Sequence, residues 1–589
     1  MSSHKSINLI CAFVTICAIL LTVLFMNGEA LGIQVIVDED AEGFEGTEYF
    51  TANDLDTGWD DEGATRITLN GTDAEIDGSG AYTYEGNVVI STAGYYVLSG
   101  TLTDGFVTVD AYQSSKVFIR FDGVDLSCSD DAAFRVDQAE KVFVTLAEGT
   151  KNTVTSGALY SDSALQDNTG GAVFSRDDLT INGSGELVVT ASYKHGIDCN
   201  DSLHITGGTI SVSAPEDALH VNDSVRLTDC ALTLYAGDDG IHCDREIIMA
   251  DGSVTIAECY EGFEAPEITI EGGDIAIYPT DDGFNANGGT SSYGGLPADA
   301  ASTATTEETY EGTPFILING GSILIVNESA RDADGLDSNG DIFITGGDIR
   351  VSLSGDGTNS AIDYGSESGG VCEISGGTVI ACGSYSMAEH FDETSTQCSV
   401  LYNFTETAEA GTVFALENAD EEVILSWEVP CSFSSVNVSC PELSLDETYI
   451  VAVGNNAEEI TVESVSASYG DAASNMFRGA MGQGGGMRQR GNRTAPGEGE
   501  SAPEGMENMG TPPDMPEGME NMGTPPDMPE GMENMGTPPD MAESTETTAA
   551  VTETVAELSG TVRIELIASM AVLLAGMVMT LLYRRRKEA

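Results

Sequence analysis

The sequence predicts an all-β fold: a right-handed parallel β-helix with coils of about 22 residues, a disordered stalk and a C-terminal transmembrane helix. Three observations predict it. A small residue recurs at spacings of 22, 22, 22 and 21 from Gly196 through Ala218, Gly240 and Gly262 to Gly283. Each interval holds two short alternating runs joined by a turn, as in Leu203-His204-Ile205 and Thr209-Ile210-Ser211-Val212 around Gly207-Gly208. An uncharged apolar run, Leu566 to Tyr583, ends in Arg584-Arg585-Arg586-Lys587.

Taken in chain order, residues 1–30 are expected to be a signal peptide. Lys5 precedes an apolar run from Ile7 to Met26, and Gly28-Glu29-Ala30 offers the small residues that a signal peptidase reads. Residues 31–60 form an acidic segment, and 61–400 the β-helix. Two or three short strands per 22 residues, turned by Gly, suit a coil whose inward residues stack in columns. An immunoglobulin-like sandwich would supply strands and turns without a reason for the recurring small residue. Residues 401–465 are expected to form a β-rich cap.

From 466 to 562 the composition turns to Gly, Pro, Met, Glu and Thr, with no periodicity able to build a core. The unit PEGMENMGTPPDM occurs there three times in tandem, from Pro503 to Met541. Pro-rich acidic sequence extends and repels itself, so this stretch is expected to act as a spacer. The anchor is expected over 563–583 and a cytoplasmic tail over 584–589, which places the ectodomain at the cell surface. Ten of the twelve cysteines lie outside the leader, with no CxxC pair, so neither a zinc site nor a dense disulfide framework is expected. Whether Cys431 and Cys440 pair is left open by the spacing.

Composition narrows the partners. With 22 basic and 97 acidic residues, the formal charge of −75 disfavours nucleic acid and anionic lipid and favours cations. Acids also recur at fixed phase. Immediately before the small residue stand His195, Asp217, Asp239, Glu261, Asp282 and Asp334; two after it stand Asp198, His220, His242, Glu264, Asn285 and Asp337. A further column is partly filled by Glu216, Asp238 and Asp281, with Asp332 close by.

Carboxylates one β-spacing apart, about 4.7–4.9 Å, repel by about 1 kcal/mol in water and about 3.5 kcal/mol at an effective dielectric near 20. Calcium relieves this, because oxygen ligands at about 2.3–2.6 Å on either side of an ion span one coil spacing. The expected metal-facing residues are Asp217, Asp238, Asp239, Glu261, Glu264, Asp281, Asp282, Asn285, Asp332, Asp334 and Asp337. His220 and His242 are expected as hydrogen-bonding or core partners. The rival reading is an acidic solvated face whose phase is kept by the turn's own backbone demands.

For catalysis, a lyase on this fold needs calcium and a basic residue, and Lys194, Arg226, Arg245 and Arg331 are the candidates near the repeats. None sits in a catalytic signature, and no phosphate loop or HExxH string occurs. No enzyme activity is expected. Tyr235 and Tyr278 share a phase but are separated by a coil carrying Ala257, so no aromatic ladder for stacking sugar is expected there.

The strings GYYVLSGTLTDG near Gly94, FDGVDLSCSDDAA near Phe121, VFSRDDLTINGSGELVVTASYKHGI near Val173, DDGFNANGG at Asp281 and DADGLDSNGDIFITGG at Asp332 bring in a resemblance. The chain resembles the clostridial-type carbohydrate-binding β-helix family from about Arg66 to Gly454. That resemblance implies a pectate-lyase-like shape, bound calcium, and surface binding of polygalacturonate or cellulose without cleavage. By position it supports Asp239, Glu261, Glu264, Asp281, Asp282, Asp334 and Asp337 as metal-facing. The pattern departs from Asp-Asp-Gly at Lys194-His195-Gly196, Glu216-Asp217-Ala218 and Tyr260-Glu261-Gly262. The expected function is therefore a calcium-dependent, adhesin-like polysaccharide-binding surface protein. A structural spike that binds a protein partner, and a calcium-dependent lyase, are the alternatives.

Overall fold

The computed structural model describes residues 47, 49–58, 62–287, 312–328, 333–355 and 357–470. Every described residue lies in one compact unit.

The strands among the described residues assemble into three sheets of 25, 12 and 4 strands. Most pairings are parallel and join a strand to its counterpart one repeat later. Ile197, Leu219, Ile241, Phe263, Phe284, Leu336 and Ile362 fall in register along the 12-stranded sheet, all buried. Two further ladders run through the 25-stranded sheet, one through Leu203, Val225, Ile247 and Ile268, the other through Ile210, Leu232, Val254 and Ile275. Alternation turns every second residue inward, and each fully buried Ile, Leu or Val contributes about 1.5–3 kcal/mol of transfer free energy. Phe263 and Phe284 stack inside the core, with ring centroids 5.0 Å apart.

The recurring small residue has a steric cause. A Cβ on Gly262 would lie 2.2 Å from the carbonyl oxygen of Gly283, and one on Gly283 would lie 2.5 Å from that of Gly335. Close approach of neighbouring rungs, rather than an unusual φ, holds these positions small.

The fold expectation needs correction. The described residues form three sheets with antiparallel additions, rather than one right-handed β-helix completed by a membrane helix. At one end Thr65–Gly71 pairs antiparallel with Ala74–Asp77. At the other, Phe433–Ser439 runs antiparallel to both Thr378–Gly383 and Ser399–Ala408. A four-stranded antiparallel sheet, Val413–Asn418 to Asn456–Thr461, carries a second hydrophobic core. No helix among the described residues is long and apolar enough to cross a membrane. The expected span 563–583 lies outside the described residues, as do the signal peptide, the tandem repeats and the tail. The physical reason is that a repeat length fixes the offset between paired strands but not how a sheet ends. Strand Ser466–Gly470, parallel to Ser399–Ala408, also carries folded structure into the start of the expected stalk.

A strap formed by residues 49–58 lies across the outside of the rungs. Its helix Ala52–Leu55 begins with a capping box between Thr51 and Asp54. Asp54 is fully buried, with Lys141 Nζ at 2.9 Å and His204 Nδ1 at 3.3 Å from its carboxylate and the Thr180 hydroxyl donating at 2.5 Å. Burial alone would raise its pKa, but the hydrogen bond from His204 and the charge of Lys141 hold it well below the usual carboxylate range. Tyr49 extends the strap by donating from its hydroxyl to Glu271 at 2.8 Å.

All ten cysteines among the described residues are buried free thiols, so Cys431 and Cys440 are not bridged.

Candidate functional site

The second predicted column is a register fact. Asp198, His220, His242, Glu264, Asn285 and Asp337 pair in succession along the 12-stranded sheet, and Asp363 continues the series. The column before the small residue is tied to the backbone. Asp217 Oδ1 accepts from the Asp239 N–H at 3.1 Å, Asp239 Oδ1 from Glu261 N–H at 3.3 Å, and Asp282 Oδ1 from Asp334 N–H at 2.6 Å. Asp334 Oδ1 likewise accepts from the Ser360 N–H. One oxygen of each acid thus caps the next rung, which accounts for part of the acid periodicity without any ion.

The remaining oxygens face two environments. In the earlier rungs they meet histidine. His220 Nδ1 is 2.8 Å from Asp217 Oδ2 and His242 Nδ1 is 2.5 Å from Glu264 Oε2. The three imidazoles stack, His195 on His220 at 4.1 Å and His220 on His242 at 4.8 Å between centroids. Burial would raise Asp217, but hydrogen bonds from His195 and His220 hold it well below the carboxylate range. Burial likewise opposes the charged form of His242, yet its bonds to Asp239, Asp244 and Glu264 raise its pKa well above the ordinary value. The expectation of His220 and His242 as hydrogen-bonding partners describes these contacts.

From Glu261 onward the columns contain oxygen groups without histidine. Burial, then the charges of Glu264, Asp239 and Asp282, push Glu261 up to about 10. Burial, then Asp337, pushes Asp282 up to about 8. Asn285 is buried; its amide donates to Glu261 Oε2 at 2.8 Å while its Oδ1 has no hydrogen-bond partner. Asp334, Asp337 and Asp363 can each offer a carboxylate oxygen within 4.8 Å of the others. A buried carbonyl oxygen without a donor, beside crowded carboxylates, is the donor set that a hard cation such as calcium takes. These residues fit calcium.

Of the expected metal-facing residues, Asp239, Glu261, Glu264, Asp282 and Asn285 are brought together in adjacent rungs, and Asp334 and Asp337 converge with Asp363. Asp217 and Glu264 are engaged by imidazole. Asp238 and Asp281 are half-buried, and Asp332 lies outside the described residues. Asp363 was not anticipated, because its rung follows Asp337 by 26 residues and is introduced by Ser360-Ala361 without an acid pair.

Of the four basic candidates, two have acidic partners, Lys194 lies in the turn before Gly196 with a positive φ of 46°, and one is outside the described residues. Arg226 donates to Glu246 at 2.6 Å and to the Tyr49 carbonyl at 3.1 Å, and Arg245 lies 3.8 Å from Asp223. Arg331 lies outside the described residues. Tyr235 aligns with Glu258 across a bulge rather than with Ala257, so an acid interrupts the Tyr235 and Tyr278 series. A continuous aromatic stack occurs elsewhere: Tyr95, Phe118 and Phe143 overlap at 4.8 and 4.6 Å, with Tyr95 45% exposed at its end.

Comparison with known proteins finds similarity to carbohydrate-binding proteins. Residues 84–357 match a family model described as "Carbohydrate-binding domain-containing protein". This span contains the columns from His195 to Asp337. A protein described in the same words from Acetivibrio thermocellus is 39% identical over 131 residues, covering 22% of this chain and 46% of that protein. The chain thus matches about half the length of this curated relative. A solved structure of a polysaccharide lyase-like protein from C. thermocellum, a gadolinium derivative, aligns with 53% of this chain and 97% of that one. The identity is 26% and the TM-score 0.34.

Proposed function

We propose that this chain is a polysaccharide-binding protein whose acid columns hold calcium and use it to bridge to acidic, pectate-type glycan. The observation that carries the carbohydrate part is the match of residues 84–357 to a carbohydrate-binding domain. What supports the calcium part is the histidine-free end of the columns, where the Asn285 Oδ1 is buried without a donor among Glu261, Asp282 and Asp337. An acidic polymer approaching a chain of charge −75 needs a shared cation. Calcium, with six to eight oxygen ligands, has positions left for uronate oxygens after the protein fills some.

Glu261, Asp282, Asn285, Asp334 and Asp337 would hold the ion, whose chemistry is charge neutralisation and oxygen bridging. Asp363 joins them from the following rung. The chain's own contribution is to fix these oxygens on a rigid parallel ladder at one strand spacing, about 4.7–4.9 Å. Binding without cleavage is the reading proposed, at the cell surface.

The experiment is depletion of polygalacturonate and of cellulose from solution by the full chain, in calcium and in chelator, with ultraviolet absorbance recorded for unsaturated uronide. The expected result is calcium-dependent retention of polygalacturonate without absorbance growth. Retention that is equal in chelator overturns the bridge, and growing absorbance overturns binding without cleavage in favour of a lyase.

A further inference from the structure

The outer face of three adjacent rungs carries a surface that the acid columns do not use. In strands Ala231–Ala236, Ser253–Cys259 and Asp274–Pro279, the residues Leu234, Ile256 and Ile277 are fully buried and in register. The residue after each points outward. In the first and third strands it is Tyr235 and Tyr278. The middle strand breaks the pattern: two residues, Ala257 and Glu258, stand between the buried Ile256 and Cys259, where each neighbouring strand places one tyrosine. This is a β-bulge, a device that re-aims a side chain. It sets the exposed Glu258 opposite Tyr235 on one side, with Tyr278 opposite the bulge on the other.

The bulge shortens the turn that follows it. Leu234 and Ile256 stand equally far before Gly240 and Gly262, so the extra strand residue comes out of the turn. Tyr260 is thereby drawn level with the turn acids: its N–H donates to the Asp238 carbonyl at 2.7 Å, and its own carbonyl accepts from the Asp281 N–H at 2.9 Å. A hydrogen bond to Asp281, then burial, raises the pKa of its hydroxyl, so Tyr260 is committed within the turn. Tyr235 and Tyr278 are not committed. They are 36% and 39% exposed, and among the described residues neither makes a side-chain hydrogen bond or a ring contact, nor does Glu258 form an ion pair. Single exposed tyrosines are ordinary. Two in one column, with a bulge turning a carboxylate out between them, make a shaped surface.

We propose that Tyr235, Glu258 and Tyr278 bind neutral hexopyranose units of a polysaccharide laid along the rungs, apart from the oxygen-only calcium columns. The C–H groups of a sugar ring are weakly positive and meet the negative face of a tyrosine ring, while the phenol hydroxyl stays in water. The two tyrosines lie two strand spacings apart, about 9.4–9.8 Å, so one polymer can stack a sugar on each. Between them Glu258 accepts sugar hydroxyls, and an ionised acceptor makes the stronger hydrogen bond. The same charge repels a uronate carboxylate, and among the described residues Glu258 belongs to no group of side chains close enough to share a cation. The inference rests on the carbohydrate part of the reading above and is independent of its calcium part.

Isothermal titration of the full chain with cellohexaose and with hexagalacturonate, both in chelator, tests it. Cellohexaose should bind and hexagalacturonate should not. Y235A and Y278A, at half-exposed positions, should each weaken cellohexaose binding at least about tenfold, and E258A at least about threefold. Saturation-transfer NMR on the unaltered chain should show magnetisation passing from tyrosine ring protons to sugar ring C–H protons, a readout that does not depend on any variant folding. Absence of cellohexaose binding in a chain that retains polygalacturonate in calcium overturns this subsite alone; absence of binding to either, in calcium or in chelator, overturns it together with the carbohydrate reading. Unchanged affinity in folded Y235A and Y278A, or equal binding of hexagalacturonate in chelator, also overturns it.

Discussion

At the scale of single residues, the chain handles a like-charge stack in two ways. Where histidine shares the column, Asp217 and Glu264 stay ionised beside imidazole. Burial would raise Glu264, but its bond to His242 holds it down at about 2. Where histidine is missing, Glu261 is pushed up to about 10 and Asp282 to about 8. Glu261→Gln separates these costs from the benefit of a cation. In chelator near neutral pH the variant should be more stable than the parent by about 1 kcal/mol, a shift of a few degrees in Tm, because it removes the cost of keeping a carboxyl protonated above its unfolded pKa. In calcium the order should reverse, with a smaller calcium-induced rise; differential scanning calorimetry with and without chelator reads both. The pH dependence carries the same sign. Because the folded pKa of Glu261 lies above its unfolded value of 4.5, its contribution is full below pH 4.5 and is lost as pH rises toward 10 in metal-free protein.

At the scale of elements, the rungs and the strap make separate predictions. Gly262→Ala would place a Cβ 2.2 Å from the Gly283 carbonyl oxygen, so the two rungs must separate. A loss of at least about 1–3 kcal/mol is expected by chemical denaturation. Asp54→Ala leaves Lys141 and His204 without their buried carboxylate, and about 3–5 kcal/mol should be lost. Since the folded pKa of Asp54 lies below the unfolded one, its stabilisation is present above the unfolded value of 3.8 and is lost as pH falls through the folded value. Hydrogen exchange of residues 49–58 should therefore accelerate in acid ahead of the rung interior. The strap was invisible in the sequence because its partners, Thr180, His204 and Glu271, lie 126 to 222 residues away and no local pattern links them. The rungs were legible because their spacing is local: an offset of 22 pairs Asp198 with His220 and His220 with His242. The bulge that sets Tyr235 against Glu258 escaped the same arithmetic, since one extra residue shifts the phase within a strand.

At the scale of the whole molecule, an acidic chain presents fixed oxygen columns within a span that matches a carbohydrate-binding domain. The columns could be read from the sequence as far as Asp337; the division into a histidine-bearing end and an oxygen-only end could not, because it depends on side chains meeting across rungs. How the sheets terminate was likewise hidden, since the antiparallel strand Phe433–Ser439 joins the parallel ladder only through long-range pairing. On the proposed reading, calcium held by the oxygen-only end links the chain to an acidic glycan. The most direct measurement is the affinity of the full chain for polygalacturonate as free calcium is buffered over several decades, with Asp337→Asn alongside. Affinity should rise with calcium, and the variant should need at least about tenfold more calcium, equivalent to about 1.4 kcal/mol, for the same binding. Affinity that is flat across the calcium range, in a chain that binds the polymer, would contradict it.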